Sequence, residues 1–340
     1  MISMGVIGYG YWGPNIVRNF QSLDLDCVKM VSDLNPKVLD KVKRLYPSIQ
    51  TTTDSKEILR SKEIDAVAVI TPVATHYPLV REALENGKHV FVEKPFTDKS
   101  DHAEELIELA DRKNLKIMVD YTFLFTGAVK KTKELIDNGI LGKIYYYDSM
   151  RVNLGLFQTD VNVIWDLAPH DLSIMQHFIE EKPQAVVATG EHHVNGKEDV
   201  AYITVYLENN VIAHFNVNWL SPVKVRMTLI GGEKKMLVWN DLVADEKIRV
   251  YDKGVHKNVN NGNTNGQNGI HEMLVSYRMG DVWAPRIEQT EALKVETQYF
   301  VDCIEKGETP FNDGKAGLEV VRILEAASKS LSKKSGMIYL

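Results

Sequence analysis

The opening segment of the chain constrains its fold more than any other. An apolar run from Ile2 to Ile7 leads directly into Gly8-Tyr9-Gly10-Tyr11-Trp12-Gly13, and Pro14 to Leu23 then keeps helical spacing with no further breaker. Strand, glycine-rich turn and helix in that order begin a parallel, doubly wound sheet. The first glycine allows the tight turn, the second lets backbone approach a pyrophosphate, and the third lets the helix sit close on the strand. Unpaired N–H groups and the helix dipole favour an anion at that helix start. Gly8, Gly10, Tyr11, Trp12 and Gly13 are therefore the expected phosphate turn.

An acid follows at the matching distance. Asp33 ends the next apolar strand, Cys27 to Ser32, roughly 20 residues past the last glycine, where such a carboxylate hydrogen-bonds a ribose 2′-hydroxyl. A 2′-phosphate there would meet a like charge at a penalty of about 1 to 4 kcal/mol. The expected cofactor is NAD rather than NADP.

Composition narrows the remaining classes. At 340 residues the chain is long for one layered core, so two domains are expected. The formal charge of −6 is spread without a basic run, which argues against nucleic acid as a partner. No stretch has the apolar length of a membrane span, and no cationic start precedes an apolar signal segment, so the cytoplasm is the expected compartment. Cys27 and Cys303 are the two cysteines, too few for a disulfide framework or a cysteine metal cluster.

Two rhythms divide the chain. Up to about residue 122, apolar strands at Ile2 to Ile7, Cys27 to Asp33, Ala66 to Thr71, His89 to Glu93 and Ile117 to Asp120 alternate with helices such as Ser100 to Lys113. From 123 to 340, after a linking helix at Thr126 to Asn138, strands follow one another with turn signals between them, which predicts an antiparallel sheet in an α+β domain. Two long helices near Glu288 to Lys306 and Lys315 to Lys333 follow, expected to pack back toward the first domain. Asn258 to Gly269, almost all asparagine, glycine and threonine, reads as a solvated loop; Val275 to Pro285 reads as a pocket rim or a subunit contact.

Ligands of doubly wound sheets sit beyond the carboxyl ends of the strands. Those ends carry Asp33, Thr71-Pro72, Glu93-Lys94-Pro95 and Tyr121. Oxidising an alcohol with NAD needs a base for the hydroxyl proton and a positive group for the developing alkoxide. Lys94 stands at such an edge, held extended by the proline that follows it. The plainer reading is a lysine that ends a strand and reaches water. The second candidate is Trp165-Asp166-Leu167-Ala168-Pro169-His170: in a helix, Asp166 and His170 share a face. Here the plainer reading is a solvated polar face, and no third ligand accompanies the pair to suggest a metal.

Taken together, these residues resemble the glucose-fructose oxidoreductase, inositol dehydrogenase and rhizopine-catabolism (Gfo/Idh/MocA) oxidoreductases. The likeness covers nearly the whole chain: the glycine turn, Thr71-Pro72 followed by His76, Glu93-Lys94-Pro95, the Asp166 to His170 spacing, and Asp313-Gly314 followed by Gly317 to Val321. The resemblance implies a Rossmann domain followed by an α/β domain with a large open-faced sheet, assembly as a homodimer or homotetramer through that sheet, and Lys94, Asp166 and His170 as the catalytic group. It places Thr71, Pro72, His76, Glu93 and Tyr121 with the cofactor. Lysine would need its pKa lowered by about 3 units to act as base at neutral pH whereas histidine needs none, so His170 is read as the base, Lys94 as the alkoxide's cation and Asp166 as the orienting group.

Two departures touch the pocket. Many members carry an arginine before the phenylalanine where this chain reads Tyr121-Thr122-Phe123, and glycines where it has Trp165 and Ala168. The loop before the helix offers Arg151, Asn153, Gln158 and Asn162, suited to sugar hydroxyls and to phosphate or carboxylate, and with Trp165 it looks like members that oxidise the 3-hydroxyl of a UDP-N-acetyl-hexosamine. The expected substrate is thus a sugar or nucleotide sugar. A 3-ketosugar reductase of deoxysugar synthesis, or a non-catalytic NAD-binding regulator, are the alternatives.

Overall fold

Runs of small and β-branched residues with no polar alternation, such as Ala66-Val67-Ala68-Val69, bury both faces and so form interior parallel strands. The computed structural model describes residues 2–23, 27–257 and 275–340; the asparagine-rich stretch 258–269 lies outside the described residues. The chain divides into two units, one comprising Met1–Thr126, Leu172–Ile174 and Gln289–Ala326, the other Gly127–Asp171, Met175–Glu288 and Ala327–Leu340.

The first unit holds β1 (Met4–Ile7), β2 (Val28–Ser32), β3 (Gln50–Thr52), β4 (Ala66–Val69), β5 (His89–Glu93) and β6 (Ile117–Asp120) in a six-stranded sheet of order β3-β2-β1-β4-β5-β6. Every pairing is parallel. Between the strands run α1 (Gly13–Leu23), α2 (Pro36–Leu45), α3 (Ser55–Arg60), α4 (His76–Glu85) and α5 (Ser100–Lys113). Strand order reverses between β1 and β4, so the glycine turn after β1 opens at the switch point, where such sheets bind ligands. β3 was not visible in the sequence: at three residues, Gln50-Thr51-Thr52, it has no apolar run, and it pairs only along β2 at the sheet edge.

The second unit holds α6 (Gly127–Asp137), most of α7 (Val163–Phe178), and a nine-stranded sheet. Its strands are β7 (Ile144–Leu154), β8 (Pro183–Glu191), β9 (Val200–Leu207), β10 (Ile212–Asn218), β11 (Leu220–Gly232), β12 (Met236–Asn240), β13 (Ile248–Lys257), β14 (Val275–Trp283) and β15 (Ile338–Tyr339). The order is β14-β13-β12-β11-β7-β10-β9-β8-β15, antiparallel except where β10 lies parallel to β7. One face alternates into the core through Ala201, Ile203, Val205, Ala213, Phe215 and Val217. The stretch read as a rim or subunit contact is strand β14, whose Tyr277 and Met279 stand 80% exposed.

Two further helices follow, α8 (Ala292–Lys306) and α9 (Gly314–Ser332). α8 joins the first unit through a cluster of rings: Phe300 meets Phe91 of β5 at 5.6 Å and Phe20 of α1 at 6.3 Å, both edge to face. That packing turns Glu296, one helical turn earlier on the same face, into the interior, where it is fully buried. No helix among the described residues is long and apolar enough to cross a membrane.

Candidate active site

In the first unit the three glycines have separate physical reasons. Gly8 has φ +98°, and a side chain there would bring Cβ within 2.2 Å of the Ile70 carbonyl oxygen. At Gly13 a Cβ would lie 2.6 Å from the Gly8 carbonyl oxygen, so glycine lets α1 close on the turn. Gly10 is different: a Cβ there would meet nothing within 4 Å. Its outer side is open space beside the start of α1, the cradle a pyrophosphate needs, and the residues present fit NAD. Tyr11 stands 87% exposed next to it.

Asp33 anchors the far side of the turn. Its Oδ2 accepts the Tyr9 backbone N–H at 2.7 Å and its Oδ1 the Asn35 N–H at 2.8 Å. The carboxylate is thereby fixed at the end of β2, one strand from the glycines, where a ribose is expected. Trp12, the residue before Gly13, donates its indole N–H to Asp120 Oδ2 at 2.8 Å. Its carbonyl accepts the Asn15 N–H at 2.9 Å, which starts the helix.

His76 behaves differently from an exposed cofactor contact. The ring is fully buried, with Nδ1 3.0 Å from the Pro95 carbonyl oxygen and Nε2 2.7 Å from that of Thr71. Burial pushes its pKa below the usual value, against the opposite pull of the carbonyls of Thr71, Pro95 and Phe96. Its role is to staple the Thr71-Pro72 turn to the Lys94-Pro95 turn, whose peptide is cis. The expectation of a direct cofactor contact is corrected accordingly. Tyr121 is 1% exposed, and burial together with the neighbouring Glu93 pushes its phenol pKa upward. Lys94 itself follows β5, half-buried.

In the second unit Asn162 caps α7. The Asn162 Oδ1 accepts the Trp165 N–H at 3.1 Å, and its Nδ2 donates to Glu198 Oε2 at 2.8 Å. Both ends of that amide hold the helix start, which corrects the reading of Asn162 as a substrate contact. Asp166 and His170 stand four residues apart on α7, each half-buried, while Ala168 and Leu172 between and beyond them are fully buried. Pro169 sits within the helix between them.

Asp166 is held by a residue that the sequence did not single out. Trp219, 1% exposed, donates its indole N–H to Asp166 Oδ2 at 3.1 Å, and its carbonyl accepts the Gly155 N–H at 3.1 Å. Phe157 packs on the same indole at 5.3 Å between ring centres. One tryptophan thus fixes both the acid on α7 and the loop after β7. The visible signal was the alternation Ala213, Phe215, Val217, Trp219, all buried; it marks a core face and says nothing of where an indole N–H points.

Arg151 does not face a ligand anion. It is 5% exposed and donates through Nε and Nη2 to the two oxygens of Asp171, each at 2.8 Å. That bidentate pair ties β7 to α7 and corrects the expectation of a substrate contact. Trp165 gives its indole N–H to Ser328 Oγ at 2.9 Å. The loop carrying Gln158 is braced by its neighbour: Asn195 donates to the Gln158 carbonyl at 3.0 Å and Lys197 to the Asp160 carbonyl at 3.1 Å. Asn153 is half-buried near the end of β7.

Comparison with known proteins supplies independent support. Residues 2–121 match the model of an oxidoreductase family with an NAD-binding Rossmann fold, and residues 129–238 match the GFO/IDH/MocA C-terminal domain. An uncharacterized oxidoreductase of Bacillus subtilis, YrbE, is 27% identical over 223 residues, spanning 62% of this chain and 65% of that protein, just under two thirds of its length. UDP-N-acetylglucosamine 3-dehydrogenase of Acidithiobacillus ferrooxidans is 24% identical over 330 residues, 93% of each chain. The solved structure of that dehydrogenase has a TM-score of 0.79 to this chain at 22% identity, covering 98% of both, a likeness of fold.

Proposed function

Because the chain belongs to the Gfo/Idh/MocA oxidoreductase family, with an NAD-binding Rossmann domain at residues 2–121, we propose that it oxidises a secondary hydroxyl of a sugar or nucleotide sugar, at C3 in the leading reading. The observation that carries the proposal lies in the second unit: Asp166 and His170 share one face of α7, and a buried tryptophan holds Asp166 in place. A solvated polar face needs no such buried anchor. NAD, when bound, supplies the hydride acceptor.

The chain's residues divide the remaining work. His170 takes the hydroxyl proton, since histidine is the side chain suited to exchanging a proton near neutral pH. Lys94 brings a positive charge to the oxygen as negative charge develops on it. Asp166, itself oriented by Trp219, fixes the base. Gly10 and the start of α1 receive the pyrophosphate and Asp33 the adenosine ribose. Asn153 and Gln158 bind substrate hydroxyls beside Trp165, and Arg151 and Asn162 are left to the fold. The working assembly is a homodimer or homotetramer in the cytoplasm.

The nucleotide-sugar reading is favoured by similarity to the Acidithiobacillus enzyme along 93% of both chains. Mixing the protein and NAD with UDP-N-acetyl-hexosamines, their uronates, free sugars and inositols, and following NADH absorbance, tests it. Turnover of a UDP-sugar is expected. Turnover of a free polyol alone would remove the nucleotide-sugar subtype and keep the dehydrogenase; tight NAD binding with no turnover across both classes would favour the regulator.

A further inference from the structure

The first unit contains three carboxyl groups that the proposed chemistry does not use. Glu93 ends β5, Asp120 ends β6, and Glu296 projects from α8. Asp120 is 2% exposed and Glu296 is fully buried. Glu93 is half-buried and pairs with Asp120 in the register of β5 and β6, and neighbouring carboxyls this poorly solvated cannot all ionise, so the cluster must keep protons. The donors distinguish the three groups. Asp120 receives one on each oxygen, Trp12 Nε1 on Oδ2 at 2.8 Å and the Thr122 hydroxyl on Oδ1 at 2.5 Å. Glu296 receives none on either oxygen.

Asp120 is therefore the best-donated carboxyl of the three, and Glu93 and Glu296 are the two that keep a proton. Burial, with Asp120 as the next cause, holds both glutamates well above the usual carboxylate range. The other groups bearing on the cluster are Lys94 and Tyr121 beside Glu93, and Thr122 beside Glu296. The single hydroxyl proton of Thr122 already goes to Asp120. Among the described residues no group of three such side chains is arranged to hold a metal ion.

We propose that Glu93, Asp120 and Glu296 form a proton-sharing positioning cluster that locks Trp12, and with it the pyrophosphate turn, to the strand end bearing Lys94. Trp12 starts α1 through its carbonyl and is fastened through its indole, so whatever fixes the indole fixes the N–H groups that meet the phosphates. Glu93 precedes Lys94 in the chain, so the same cluster reaches the catalytic ammonium. Asp120 orients Trp12 through the indole hydrogen bond, and further ionisation of the glutamates beside an anionic ligand is opposed. None of the three touches the reacting atoms; they act through Trp12 and Lys94. The cofactor half of this inference rests on the Rossmann domain, and the Lys94 half on the proposed function.

The test uses the full chain with NAD alone, so it stands apart from the choice of substrate. Glu296→Gln replaces a neutral donor with a neutral donor and should keep the NAD dissociation constant within about twofold at neutral pH, whereas Glu296→Leu and Asp120→Asn should weaken NAD roughly tenfold or more. Infrared spectra at neutral pH should show a protonated carboxyl band in the wild type that diminishes in Glu296→Gln. As pH rises, NAD affinity should fall in the wild type and fall less in Glu296→Gln. Should Glu296→Leu fail to fold, the infrared and pH comparisons on Glu296→Gln decide. Equal weakening of NAD by Glu296→Gln and Glu296→Leu, an unchanged carboxyl band, or undiminished affinity in Asp120→Asn would overturn the proposal.

Discussion

The indole of Trp219 donates to Asp166 at 3.1 Å while its own backbone carbonyl holds Gly155, so one buried residue at the end of the second unit's β10 fixes an acid on a helix and the loop that precedes that helix. An acid so held has one orientation, and an acid that orients a base must have one.

Trp219→Phe keeps most of the buried volume and deletes the donor. Turnover should fall roughly tenfold, the NAD dissociation constant should hold, and stability should drop by about 1 to 3 kcal/mol for the lost hydrogen bond. Steady-state kinetics with an NAD titration and chemical denaturation check all three. Unaltered turnover would detach Trp219 from the chemistry.

Gly8 and Gly10 should respond differently to the same change. Gly8→Ala forces Cβ against the Ile70 carbonyl at φ +98°, and the chain should lose more than about 2 kcal/mol of stability. Gly10→Ala meets open space, so stability should hold while NAD affinity drops about tenfold or more as the methyl fills the phosphate cradle. Denaturation midpoints and NAD titrations of the two variants separate these outcomes; equal loss of stability would contradict the open side at Gly10.

His76 makes folding sensitive to acid. Its folded pKa is lowered by burial, so between the ordinary value of 6.5 and the lower folded value the unfolded chain binds more protons than the folded one. Stability contributed by neutral His76 is present above 6.5 and is lost as pH falls through that window. Denaturation midpoints across this range should decline toward acid, and the decline should be shallower in His76→Gln. An identical slope in the variant would place the acid sensitivity elsewhere.

The Arg151–Asp171 pair is a fold element. Arg151→Ala leaves a buried carboxylate without its bidentate partner and should cost about 3 to 5 kcal/mol, whereas Arg151→Met with Asp171→Leu should recover most of that loss. A double-mutant cycle measured by denaturation tests this. A stable Arg151→Ala variant with a raised KM for substrate would restore the arginine to the substrate site.

The cofactor half of the molecule was legible in the sequence because its constraints are local. A turn that needs φ +98° needs glycine, so Gly8, Gly10 and Gly13 are read from adjacent letters and Asp33 from a fixed spacing after them. The spacing of Asp166 and His170 was visible for the same reason, since four residues on a helix return to one face. What escaped was long-range. Arg151 and Asp171, Trp219 and Asp166, Trp12 and Asp120, and Asn162 and Glu198 each meet across 20 to 108 positions of chain, and no local period records such meetings. Tyr121 was placed at a strand end and His76 just after the Thr71-Pro72 turn, but which way a side chain turns there depends on neighbours from other elements.

The central claim is that His170 removes the proton of a hydroxyl whose hydride goes to NAD. Measuring NADH formation by the wild type and by His170→Ala on the substrate found in the screen, together with the NAD dissociation constant of each, tests it most directly. Turnover should fall about 100-fold or more in the variant while NAD binds as before. A His170→Ala protein that reduces NAD at the wild-type rate would contradict the account.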